Sequence, residues 1–119
     1  MTPVIVIEKA TAAGVHLAAK DGQVELIAKE RPATHILELI RTHKVDVLDE
    51  LEGMQSLWLE RVAHLLQSTP ECLLQSTLLE PVDVRELWHT EPRHTAELIY
   101  SWGEPEQYQP RKKAADFGE

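Results

Sequence analysis

Asp21-Gly22 is the pair of residues that most restricts what this chain can fold into. Before it, Val15, Leu17 and Ala19 alternate with His16 and Ala18. After it, Val24, Leu26 and Ala28 alternate with Glu25 and Ile27. Alternation with period two places one set of side chains on one face of an extended strand. An Asp-Gly pair between two such runs supplies the positive φ values that a tight reversal needs. The spacing therefore predicts a β-hairpin over residues 15 to 28. A two-stranded hairpin is marginal in water by itself, so one face has to pack on helices. Both of its strands are then edges, and an edge with unpaired N–H and C=O groups invites a strand from another molecule.

The rest of the chain reads as helix. Thr2-Pro3 is a helix start, with a hydroxyl at the cap and a proline at the first helical position. Gly14 stands where a left-handed stop belongs. The intervening VIVI run is rich in β-branched residues and fits a short strand as well, but helix is the preferred reading. Past Pro32, Thr34 is a candidate cap for a helix carrying Ile36, Leu37 and Ile40, and the stripe resumes at Val47, Leu48 and Leu51. His43-Lys44 marks a bend between two helices, with Asp46 as a second cap, and Gly53 ends or loosens this unit. A further helix over Met54 to Leu66 would bury Leu57, Trp58, Arg61, Val62 and Leu65. Thr69-Pro70, Pro81 and Pro92 open three more short helices, and Gly103 closes the last. Their inward positions would be Cys72, Leu73, Leu74 and Leu78, then Val84, Leu87 and Trp88, then Ala96, Ile99 and Tyr100. Residues 104–119 read as a polar extended tail carrying Arg111, Lys112 and Lys113. The expectation is an α+β chain: a module over residues 1–52, a bundle of short helices over 53–103, and the tail.

Charge and spacing narrow the functional classes. A formal net charge of −8 over 119 residues opposes a phosphate-binding surface, because non-specific nucleic-acid affinity comes from clustered Lys and Arg. Between Gly53 and Gly103 only Arg61, Arg85 and Arg93 stand against seven acidic residues, the wrong sign for a recognition helix. No apolar run approaches the roughly 20 residues of a membrane helix. MTPVIVIEKA lacks the basic start of a secretory signal, and the single cysteine, Cys72, cannot form an intramolecular disulfide. A cytoplasmic setting is the expectation.

His89 and His94 are separated by Pro92, and His35 and His43 have no Cys or carboxylate at ligand spacing beside both, so no metal site is expected. Cys72 lies near a helix start without a cation beside it and reads as a packing thiol. Asp49, Glu50 and Glu52 sit on one solvated helix face. No catalytic residues, no cofactor and no enzyme activity are expected.

The residues Gly14-Val15-His16-Leu17, Gly22, Leu26, the helix Ile36-Leu37-Glu38-Leu39-Ile40-Arg41 and the following His43-Lys44-Val45-Asp46-Val47-Leu48 resemble the TubC-type N-terminal docking domain of hybrid nonribosomal-peptide and polyketide assembly lines. The likeness covers roughly the first 52 residues. It implies a helix, hairpin, helix, helix unit that pairs with a second copy of itself and offers a strand edge to a partner peptide. Carried over by position, Gln23 to Lys29 would be the docking edge, with Lys20, Lys29 and Arg31 as the cations for an acidic peptide. The partner-binding set is then Lys20, Gln23, Val24, Glu25, Leu26, Ile27, Lys29 and Arg31. Val4, Ile7, Ile36, Ile40 and Val47 would serve as core and self-pairing surface of a homodimer. Small proteins with such a unit look similar to cargo of bacterial mobile elements, and that setting is preferred over an assembly line. The expected role is a protein-protein interaction module. The alternatives are a regulator or inhibitor that blocks a nucleic-acid-binding complex with its acidic surface, in an anti-CRISPR-like way, and a DNA-binding accessory protein.

Overall fold

The computed structural model describes residues 1–110. The architecture is α+β, in the order α1 (Pro3–Ala12), β1 (Val15–Lys20), β2 (Gln23–Ala28), α2 (Thr34–Thr42), α3 (Lys44–Leu65), α4 (Pro70–Gln75), α5 (Pro81–Leu87), α6 (Pro92–Trp102) and α7 (Pro105–Tyr108). It divides into two compact units, Met1–Gln55 and the residues from Ser56 onward, with the division falling inside α3.

In the first unit the VIVI run is helical. The Thr2 hydroxyl accepts from the Ile5 N–H at 3.4 Å, Pro3 occupies the first turn, and Gly14 follows at φ +85°. The strands are antiparallel, paired Val15 with Ala28, Leu17 with Leu26 and Lys20 with Gln23. Asp21 and Gly22 both have positive φ, +53° and +77°, which makes the reversal a type I′ turn matched to the twist of the strands. The hairpin leans inward through β1: Val15, Leu17, Ala18 and Ala19 are buried together with Val6, Ile7, Ala10, Ile36, Ile40, Val47 and Leu51. Apolar burial of this kind supplies the stabilisation that an isolated hairpin lacks.

Three local readings require correction. The residue preceding α2 is Ala33, with no side-chain cap, and Thr34 is already helical. The bend falls at His43 as expected, but Asp46 lies inside the first turn of α3, where its charge faces the positive end of the helix dipole. Gly53 neither ends nor loosens the helix, since α3 runs 22 residues through it. A mid-helix glycine costs only about 1 kcal/mol, and flanking Leu51, Trp58 and Leu59 anchor the helix on both sides.

The second unit has its own core of Trp58, Leu59, Val62, Ala63, Leu66, Leu73, Leu79, Val84, Ala96, Ile99 and Tyr108. Of the expected stripe of α3, Trp58 and Val62 are buried, whereas Leu57, Arg61 and Leu65 are exposed; Leu59 and Ala63, and Leu66 just past the helix, are buried instead. Burial thus moves to the side of the helix away from the arginine. Tyr100 also faces outward, while Thr95 is buried in its place beside Ala96 and Ile99. Cys72 is half-buried.

Punctuation sets these short helices. Thr69 accepts from the Cys72 N–H at 3.2 Å, and Pro70, Pro81, Pro92 and Pro105 each stand in a first turn. The reading of residues 104–110 as extended tail is also corrected. Pro105–Tyr108 is a helical turn closed by reciprocal bonds between Glu104 and Gln107, and Tyr108 is buried. Its carbonyl accepts from the Ser68 hydroxyl, and the Gln109 amide donates to the Leu66 carbonyl at 3.1 Å. Arg111, Lys112 and Lys113 lie outside the described residues.

Candidate functional site

The hairpin has two outer edges, and they are not equivalent. With a two-residue turn, the pair flanking it, Lys20 and Gln23, exchanges hydrogen bonds, and the alternation places Ala18 with Glu25 and His16 with Ile27 in the same class. The backbone groups of Ala19, Leu17 and Val15 therefore point away from β2, and those of Val24, Leu26 and Ala28 point away from β1.

On the β1 side the groups of Ala19 are met within the chain. The Ala19 N–H donates to Gln55 Oε1 at 2.7 Å, and Gln55 Nε2 donates to the Ala19 carbonyl at 3.3 Å. One side-chain amide thus stands in for a residue of a third strand. Leu17, the next outward-facing position, is not free either. On the other side, no strand among the described residues pairs with β2, because the sheet contains β1 and β2 alone. Three N–H donors and three C=O acceptors, from Val24, Leu26 and Ala28, line that rim.

The side chains along β2 are also accessible. Leu26 is 38% and Ile27 42% exposed, Gln23 and Ala28 are exposed, and Val24 and Glu25 are half-buried. Two neighbouring apolar residues on an open strand edge are the sort of feature that natural sheets normally avoid or cover. Past Ala28 the edge runs into an open groove of about 670 Å³ whose lining includes Gly14, Ile27, Lys29, Glu30, Arg31 and Pro32.

The expected cations do not form one cluster. Lys29 and Arg31 share the groove, whereas Lys20 sits beside the turn at the far end of β2, about 17 Å away along a strand rising roughly 3.4 Å per residue. The expected self-pairing set is mostly interior: Ile7, Ile36, Ile40 and Val47 are buried in the unit's own core, and Val4 alone is exposed, at 36%. Gln55 is the residue that the sequence reading missed. It lies 36 positions from Ala19, and nothing local to either residue signals the bond.

Among the described residues no three His, Cys, Asp or Glu side chains come together as a metal site, and no helix is long and apolar enough to cross a membrane. A cleft of the second unit, about 710 Å³, mixes Glu60 and Glu91 with Arg61, His64 and Arg93 over Leu57, Leu65 and Pro92. All of these charged side chains are exposed. No family model, curated protein or solved structure matches the chain.

Proposed function

We propose that the chain is a non-enzymatic protein-protein interaction module, and that its binding site is the outer edge of β2, where an extended segment of a partner protein adds as a strand. The observation that carries this reading is the asymmetry of the hairpin: Gln55 closes the β1 rim at Ala19, and among the described residues no strand pairs with the β2 rim. Backbone bonds to Val24, Leu26 and Ala28 would supply affinity. Leu26, Ile27 and the Lys29/Arg31 groove would select side chains, favouring an acidic residue where the partner strand leaves the sheet. The resemblance of residues 1–52 to TubC-type docking domains supports the same edge. A cytoplasmic protein of a bacterial mobile element is the setting proposed with it.

Leu26→Pro tests this with little effect on the hairpin itself. The Leu26 N–H points outward, so proline removes a donor from the rim without removing a bond to β1. Affinity capture from the host with the unaltered chain and with Leu26→Pro should differ by the loss of the partner. Amide exchange at Val24, Leu26 and Ala28 should slow when that partner is added. A partner retained equally by both baits, with circular dichroism showing both folded, would place binding elsewhere.

A further inference from the structure

We propose that a groove between α3 and α6 of the second unit is the docking site of the chain's own C-terminal segment, residues 111–119, with Phe117 as its apolar anchor. The inference is independent of the β2 edge.

The groove has two parts that share Leu65 and Arg93. The wider is the cleft of about 710 Å³ already described; the narrower, about 360 Å³, is lined by Leu65, Leu66, Arg93, Ala96, Glu97 and Tyr100. The Trp58 indole N–H donates to the Thr90 carbonyl at 3.0 Å, so α6 starts beside Trp58, and Tyr100 near its end meets Leu65 and Leu66. The two helices therefore run in the same direction along the groove. Leu57 and Leu65 are 47% and 46% exposed and Tyr100 is 72% exposed, an apolar stripe that nothing among the described residues covers.

The described chain ends at this groove. The Ser68 hydroxyl donates to the Tyr108 carbonyl, and the Gln109 amide donates to the Leu66 carbonyl at 3.1 Å; Ser68 lines the wider part and Leu66 the narrower. Pro110 is thus held at the mouth, with nine residues to follow. From Leu66 back to Leu57 a helix covers about 14 Å, at roughly 1.5 Å per residue. The seven residues from Pro110 to Phe117 span up to about 24 Å, so Phe117 reaches the whole length of the floor.

Charge follows the same order. The last nine residues hold three of the chain's 12 Lys and Arg and its single Phe, whereas all but two of its 20 acidic residues come earlier. Arg111, Lys112 and Lys113 come first, at the end of the groove that carries Glu97. Asp116 and Glu119 come later, toward the stretch that carries Arg93, His64 and Arg61. Neither Arg61 nor Arg93 makes an ion pair with a described residue. Glu60 and Glu91 also border that stretch, so the match there is with the arginines and His64 alone. The groove is then a binding site held by the chain's own end, open to another segment of the same pattern only by displacement.

The test uses the full chain with a nitroxide on Gly118→Cys in a Cys72→Ser background. The label should broaden the amide signals of Leu57, Arg61, Leu65 and Arg93, and reducing it should restore them. Phe117→Ala in the labelled chain should cut the docked-to-undocked ratio at least about tenfold, because a buried aromatic side chain is lost. Arg93→Glu should lower it roughly two- to fivefold, and adding Asp116→Arg should restore it. Groove signals that the label leaves sharp overturn the proposal, as does broadening indifferent to Phe117→Ala. Broadening of unlabelled chains mixed with labelled ones also overturns it, since the groove then holds the end of a neighbouring copy.

Discussion

Replacing Gln55 with alanine tests the difference between the two rims directly. The substitution removes two hydrogen bonds, of 2.7 and 3.3 Å, and leaves the N–H and C=O of Ala19 without the amide that meets them. Ala19 is only 8% exposed, so water replaces the lost partners poorly. Each bond contributes about 0.5–1.5 kcal/mol net, and leaving a buried group unmet costs about 1–3 kcal/mol, so a loss of about 2 kcal/mol is expected. At about 1.4 kcal/mol per factor of ten, this corresponds to roughly thirty-fold faster amide exchange at Ala19 wherever local opening controls it. The assay is exchange resolved to that residue, alongside denaturant unfolding. Gln55→Glu should fall between, since its carboxylate still accepts from the Ala19 N–H but repels the carbonyl beside it. If Gln55→Ala leaves both the Ala19 exchange rate and the unfolding midpoint unchanged, the amide does not close the rim, and the contrast on which the docking edge depends disappears.

Other outcomes are expected on the same reasoning. Leu51→Ala empties a position of zero exposure at the base of the first unit's core and should lower stability by about 3 kcal/mol in denaturant unfolding, loosening the hairpin with it. Burial raises the Tyr108 phenol above its ordinary 10.0, with Tyr100, Glu104 and Glu106 adding to the shift. Below pH 10 the phenol is protonated in both the folded and unfolded chain, so its contribution to stability is fully present there. As pH climbs above 10 the unfolded chain loses that proton first, and thermal melts should show stability falling. Tyr108→Phe should flatten that alkaline decline, and an unchanged slope would count against the burial of this ring.

What the sequence made legible was local. Asp21-Gly22 defines the hairpin because turn geometry depends on those two residues alone, and Thr2-Pro3 and Thr69-Pro70 locate helix starts for the same reason. The alternation placed both strands, β1 and β2, as edges without distinguishing them. What could not be read depended on choices between near-equal alternatives or on distant contacts. Over Met54 to Leu66 periodicity allowed a broad stripe of Leu57, Trp58, Arg61, Val62 and Leu65, of which Trp58 and Val62 are buried; the arginine was a usable hint that the Leu57–Arg61–Leu65 side faces water. Gly53 looked like a stop because glycine often is one, yet packing on both sides carries α3 across it. Tyr108 was hidden in a polar stretch, and its burial depends on Ser68 and Leu66, some forty residues earlier. The closing of the β1 rim by Gln55 carried no signal at all, since a glutamine on a helix ordinarily points into water.

That same glutamine limits how far the sheet can extend. A hairpin open on both sides could be extended without end, each newcomer offering a fresh rim to the next, which is how fibres grow. With the β1 side stopped by a side chain at Ala19, strands can add on the β2 side alone, so the sheet extends in one direction and not in two.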